Sequence, residues 1–326
     1  MASPQGRAQH SGMKHAQRVA VVTCVATLVL IAVGAYVRAS GSGLGCPDWP
    51  TCEGTNVLPT SRESAIELTH RYIASFVGLL VITQAVLAWR FYRHAPVVFW
   101  GALLLVPLVG IQGILGAITV WRELPPEVVA THLVTAMIVL SFMATVTVGM
   151  FLEDPDRRTA PSAPARRAAR GLALRAVVAI AVLAALVWIG GYITKSGGAW
   201  ACADWPTCEG LRVLPAQDSK EITHMVHRYI AAGIALVLVP LVAYAWRHRQ
   251  ELWWAAPVAL GVAGLYGAQV VVGALNVWFE VPEPLTVAHT ALAASIWFLL
   301  SGAAAVGYYA PVGERGRVVR ASEVPA

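Results

Sequence analysis

Eight long apolar runs decide what this chain can fold into. They fall at roughly 19–37, 67–89, 97–120, 128–151, 172–193, 224–246, 252–277 and 286–309, and each is close to the roughly 20 residues that a helix needs to cross a bilayer. The hydrocarbon core offers no water to backbone N–H and C=O groups, so such runs must satisfy themselves as helices. Composition agrees: 57% of the residues are hydrophobic and 13% charged, with a mean hydropathy of +0.62, too apolar for an ordinary soluble domain. The expected fold is an all-α integral membrane protein with eight transmembrane helices. Lys14 and Arg18 precede the first run much as they would in a secretory signal, but no convincing small-residue cleavage site follows, so this run reads as a retained helix.

Charge placement orients the spans. In a soluble protein the excess of 24 Lys+Arg over 18 Asp+Glu would suggest nucleic acid. Here Arg7, Lys14, Arg18, Arg90, Arg93, Arg157, Arg158, Arg166, Arg167, Arg170, Arg247, Arg249, Arg315, Arg317 and Arg320 all fall in the two ends or in the even-to-odd connections. By the positive-inside rule both termini are cytoplasmic and the other loops extracytoplasmic. Membrane lipid is the expected surroundings, in a bacterial-type cell membrane, and no nucleic acid is expected. Gly41, Gly43 and Gly45 have the wrong spacing, and no preceding strand, for a dinucleotide fingerprint.

The chain is also a duplication. Tyr36, Cys46, Trp49, Cys52, Glu53 and Pro59 recur 156 residues later as Tyr192, Cys202, Trp205, Cys208, Glu209 and Pro215. After one inserted residue the offset is 157, relating His70 to His227, Arg71 to Arg228, Tyr72 to Tyr229, Gln112 to Gln269, Trp121 to Trp278 and His132 to His289. A constant offset over a half-chain marks an internal repeat. Four spans per repeat is even, so both halves enter the membrane in the same sense, and two tandem four-helix bundles related by a pseudo-twofold axis along the membrane normal are expected. The domains read as a cytoplasmic tail (1–18), a first bundle (19–152), a Pro-, Ala- and Arg-rich linker without apolar period (153–170), a second bundle (171–310) and a cytoplasmic tail (311–326). The first dozen residues and the tail after Ala310 are expected to be disordered.

His10, His15, His94 and His248 fall in the tail or cytoplasmic connections. His70, His132, His224, His227 and His289 instead lie near the outer ends of the second, fourth, sixth and eighth spans, about 5–10 Å into the membrane at 1.5 Å per residue. Ionisable groups at that depth are functional candidates, although one histidine can simply bond a neighbouring helix. Four at matched depth, two per bundle, favour a pair of imidazoles clamping a flat porphyrin iron. A non-haem metal and purely structural histidines remain as alternatives. Arg71 and Arg228, one residue after the ligands, are candidate partners for haem propionates, the alternative being cations that snorkel to the interface.

Cys46, Cys52, Cys202 and Cys208 lie in loops expected to face an oxidising compartment. Pairing within each loop is favoured over a four-cysteine metal site, whose usual spacing is tighter. Cys24 reads as a buried small apolar residue inside the first span. The halves differ at one telling position. Glu67 lies three residues before His70 on the same helix face, and its counterpart is His224. A glutamate there can merely complement the helix dipole, or it can handle protons beside a bound haem. Arg38 likewise has Thr194 as its counterpart. The first half is therefore expected to perform chemistry and the second to hold a permanent cofactor, with His227 a better ligand than His224 because it shares the HRYIA context of His70.

These motifs resemble the haem A synthase family. The likeness rests on RASGSGLGCPDWPTCEG (Arg38 to Gly54), ELTHRY (Glu67 to Tyr72), IQGILGAITV (Ile111 to Val120) with His132, and their second-half copies, and it covers all eight spans. It implies an oxidoreductase that converts a porphyrin methyl group of haem O into a formyl group by successive hydroxylations. By residue matching, His70 and His132 would bracket the substrate haem O with Glu67 beside it as the catalytic residue. His227 and His289 would ligate a resident haem b, and a haem O synthase and an electron-transfer protein would be partners. The main rival is a di-haem electron-transfer cytochrome of the quinol-oxidising type. A transporter is suggested by the repeats alone and leaves the matched histidines unexplained.

Overall fold

The computed structural model describes residues 4–54, 61–153, 162–210 and 218–309, with side chains from residue 9 onward. Pro59, Pro215, Arg157, Arg158, Arg315, Arg317 and Arg320 lie outside the described residues, as does the side chain of Arg7. Among the described residues all regular structure is helical, and eight helical stretches are long and apolar enough to span a membrane. The protein is an integral membrane protein. Its helices are α1 (Pro4–Ala39), α2 (Arg62–Phe91), α3 (Pro96–Trp121), α4 (Pro126–Leu152), α5 (Ala163–Ser196), α6 (Ser219–Gly233), α7 (Ala235–Arg247), α8 (Ala255–Trp278) and α9 (Glu283–Tyr309).

All eight expected spans are present, with α6 and α7 together forming the sixth. The interruption falls at Ile234, next to Gly233 and ahead of Pro240, which lacks the N–H for one rung of the helix. Two expectations are corrected. Within the first dozen residues, expected to be disordered, the chain is already helical in α1 from Pro4, and Met13 and Ala16 just beyond are buried against neighbouring helices. The linker is shorter than 153–170, because α5 begins at Ala163. Ser162 caps it by accepting from the Ala165 amide at 3.3 Å, and Pro164 suits its first turn. Ala165, Ala168, Ala169, Leu172 and Ala176 form a buried stripe at helical spacing. Alanine is too weakly apolar, and too mixed with arginine here, for that stripe to read as a span.

In the first half, α1 packs on α2 and α4, and α3 packs on α2 and α4. The ring order α1–α2–α3–α4 therefore sets α2 across from α4. In the second half α5 packs on α6, α7 and α9, and α8 packs on α7 and α9. Contacts of α1 with α9, α4 with α5 and α4 with α9 join the halves. Lipid tails provide no hydrophobic drive between helices, so close packing of small residues and interhelical hydrogen bonds must hold this seam. A Cβ on Gly191 of α5 would lie 3.2 Å from the Ala130 Cα of α4, and one on Gly307 of α9 would collide with the Ala169 carbonyl oxygen of α5. Trp297 Nε1 donates to Ser141 Oγ at 2.6 Å, the Ser141 and Ser301 hydroxyls bond at 2.8 Å, and Trp188 Nε1 donates to Thr131 Oγ1 at 3.2 Å. Each of these bonds crosses from one half to the other.

Candidate functional site

Each half carries a folded cap at one end of its helices. Gly41 (φ +71°) turns the chain off α1, and Gly197 (φ +78°) turns it off α5; both are left-handed conformations that glycine adopts without a Cβ penalty. The disulfides follow: Cys46–Cys52 with Cα atoms 4.7 Å apart, and Cys202–Cys208 at 4.4 Å. Pairing within each loop is thus as expected, and Cys24 is free and buried, bonded to the Thr147 hydroxyl at 3.3 Å. Trp49 meets Trp121 edge-on at 5.9 Å, and Trp205 meets Trp278 at 6.0 Å, so each loop folds back onto the end of α3 or α8. Within the first loop the Asp48 carboxylate accepts from the Thr51 hydroxyl, from the Glu53 amide at 2.6 Å and from the Gly54 amide at 2.9 Å. The Thr51 hydroxyl, aided by the backbone amides, holds the Asp48 carboxyl below the usual carboxylate range.

An arginine ties each cap to its histidine helix. Arg71 Nη1 donates to the carbonyls of Asp48 (2.7 Å), Pro50 (3.3 Å) and Thr51 (2.5 Å), while Nη2 pairs with Glu67 Oε1 at 2.6 Å. Arg228 Nη1 repeats this with Asp204 (2.7 Å), Pro206 (3.2 Å) and Thr207 (2.5 Å), and its Nη2 faces His224 Nε2 at 3.2 Å. Glu67 and His224 therefore occupy equivalent places, both buried. Glu67 has a second bond, accepting from the Cys46 amide at 2.9 Å. The terminal nitrogens of Arg71 and Arg228, the arginines expected to meet propionates, are engaged by the loop carbonyls and by Glu67 or His224; of these two arginines, Arg228 has its Nε buried without an acceptor.

The four matched histidines are each backed by a glycine on a neighbouring helix. A Cβ on Gly34 would lie 3.1 Å from His70 Cε1, on Gly190 3.0 Å from His227 Cε1, and on Gly273 3.2 Å from His289 Cε1. Gly116 is looser, 3.5 Å from His132 Cε1. Gly34 and Gly190 stand at the first repeat offset, Gly116 and Gly273 at the second. The repeat contained this signal, but a residue without a side chain does not announce a contact. His70 and His132, from facing α2 and α4, lie within electrostatic reach of each other, as do His227 and His289. No group of three or more metal-ligating side chains occurs among the described residues.

The halves differ around the later histidine of each pair. Gln112 Nε2 bonds His132 Nδ1 at 3.2 Å and the His132 carbonyl at 2.7 Å, and its Oε1 accepts from Thr135 at 2.8 Å. In the second half Leu292 stands where Thr135 does, and Gln269 Oε1 is buried without a partner. A cavity of about 630 Å³ opens there, lined by His227, His289, His224, Arg228 and Gln269, within the roughly 300–1,000 Å³ typical of small-molecule and cofactor pockets. Arg38 lines it too, although its sequence position groups it with the first half. Glycine-backed rings in facing pairs and, in the second half, a cavity of this size fit a flat, axially ligated haem.

Fold and site together define a class: a duplicated membrane helical protein with a glycine-backed histidine pair and a disulfide-closed cap in each half. The family model of the COX15-CtaA cytochrome oxidase assembly proteins matches residues 17–301, and the chain belongs to that family. It is 30% identical to the haem A synthase of Shewanella oneidensis over 86% of this chain and 92% of the relative. It is 30% identical to that of Symbiobacterium thermophilum over 89% and 94%, and 32% identical to that of Shouchella clausii over 73% and 76%.

Proposed function

We propose that this protein is a haem A synthase, an oxidoreductase that converts a porphyrin methyl group of haem O into the formyl group of haem A. The observation that carries this reading is the pairing of glycine-backed histidines in both halves of a chain from this family. Replacing two methyl hydrogens by one oxygen is a four-electron oxidation of the porphyrin substituent, so an electron-transfer partner is part of the proposal, as is a synthase that supplies haem O.

In this reading the first half (19–152) is the working site. His70 and His132 orient the substrate haem, Gln112 fixes the His132 ring, and Glu67 serves as the catalytic carboxylate that takes up protons from the oxidised group. Its tie to Arg71 and the Cys46 amide holds it at one position on the histidine helix. The second half (171–310) would hold haem b between His227 and His289, while His224 Nε2 is engaged by Arg228. When bound there, haem b supplies one-electron redox chemistry. The charge bias puts the caps on the extracytoplasmic side of a bacterial-type cell membrane and both termini in the cytoplasm.

Extracting haems from cells with and without the protein tests the proposal. Haem A should appear at the expense of haem O only when the protein is present. An unchanged ratio would return the chain to the electron-carrier reading.

A further inference from the structure

Arg38 belongs to the first half by sequence and to the second by location. It sits in the last turn of α1, the helix that packs across the seam on α9. Its Nη2 donates to Thr290 Oγ1 at 3.1 Å, one residue beyond His289, and its side chain lines the second-half cavity. Its Nε is buried and finds no acceptor, and no carboxylate partner occurs among the described residues. Arg228, on the same cavity, also has a buried Nε without an acceptor.

Two guanidinium groups with unmet donors in one apolar cavity are costly unless a ligand brings anions to them. Guanidinium donors match carboxylates above other anions except phosphate. Gln269 and Thr290 cannot neutralise either charge. The corresponding first-half geometry does not exist: Thr194, the counterpart of Arg38, bonds back to the Gly190 and Gly191 carbonyls of its own helix at 2.7 and 3.1 Å.

We propose that Arg38 is a cofactor-binding residue of the opposite half, receiving one carboxylate of the porphyrin held by His227 and His289 while Arg228 Nε faces the other. This rests on the reading of the second half as a haem b site. It makes that site a composite, complete only when α1 lies against α9, and it places the carboxylate edge of the cofactor on the seam between the halves.

The full-length chain, produced under haem starvation in a His70→Ala background so that the second-half pair is the site read, is titrated with protohaem and with its dimethyl ester, whose carboxylates are capped. The bis-histidine absorbance spectrum reports binding. The unmodified Arg38 protein should bind the free acid about tenfold or more tightly than the diester, a charge-assisted hydrogen bond being lost with the cap. Arg38→Gln should bind the free acid more weakly and lose most of that preference. Equal affinity for both haems before any change at Arg38 overturns the assignment, and needs no variant that might misfold. So does an Arg38→Gln protein that discriminates as before, since Arg38 would then be only a seam contact. Binding of neither haem overturns the underlying haem b reading instead.

Discussion

Arg71 grips the Glu67 carboxylate at 2.6 Å with one terminal nitrogen and three carbonyls of the Cys46–Cys52 loop with the other. The cap and the histidine helix are thus one rigid unit, and the second half repeats it with His224 in place of the carboxylate. A lysine has a single nitrogen and cannot serve both sides of that junction. Arg71→Lys is expected to cost about 1.5–3 kcal/mol, the range for hydrogen bonds to charged groups. Arg228→Lys should cost less, because His224 is not a carboxylate. Thermal denaturation of the purified variants, with the order of their midpoints as readout, checks this.

Glu67→Gln separates anchoring from chemistry. The amide oxygen can still accept from Cys46 N–H, and although the tie to Arg71 is lost, Arg71 keeps its three loop carbonyls, so the cap should stay folded and haem content should remain near normal. Haem A formation should fall about a hundredfold or more, the usual scale for losing a positioned acid or base. Near-normal conversion by this variant would reduce Glu67 to an anchor for the loop.

His70→Ala and His132→Ala should each abolish haem A formation while the second-half haem b remains bound. The checks are chemical identification of extracted haem and the ratio of haem to protein. Loss of both haems from a folded His70→Ala protein would overturn the division of labour between the halves.

What the sequence could and could not disclose follows from the range of each interaction. The spans were legible because apolar runs of that length have one solution in a bilayer, and the repeat because its offset persists over half a chain. The disulfides followed from two cysteines in each short loop. Arg38 was misgrouped because the rotation of α1 about its own axis is set by packing on α9, which no local pattern encodes. Arg71 and Arg228 looked free for a ligand because their loop partners are backbone carbonyls, which have no signature in the sequence. The Ala165, Ala168 and Ala169 stripe was read as linker because small residues pack helices closely without raising hydropathy.

The Asp48 carboxylate gives the first cap a pH dependence of known sign. Its folded-state pKa is depressed, chiefly by the Thr51 hydroxyl and then by the loop amides. Its stabilising contribution is therefore fully present above the unfolded value of about 3.9 and is lost as pH falls through the folded one. Protection of the Gly54 amide against hydrogen exchange should hold at neutral pH and drop below that range. In Asp48→Asn the drop should disappear.

The glycines behind the imidazoles offer a graded test of the histidine pairs. Alanine at position 190 or 34 would put a Cβ at 3.0 or 3.1 Å from an imidazole Cε1, tighter than ordinary van der Waals contact, whereas at position 116 the distance is an ordinary 3.5 Å. Helix propensity pulls the other way, since alanine is favoured over glycine in a helix interior by roughly 0.5–1 kcal/mol. Gly190→Ala and Gly34→Ala should therefore fold at least as well as the parent yet turn the His227 or His70 ring out of line. The low-spin haem signals in electron paramagnetic resonance should shift, with weaker haem retention in the affected half alone. Gly116→Ala should leave both signals in place. If all three variants behave alike, the close contacts do not set the ring orientation, and the imidazoles are held by the iron rather than by their seats.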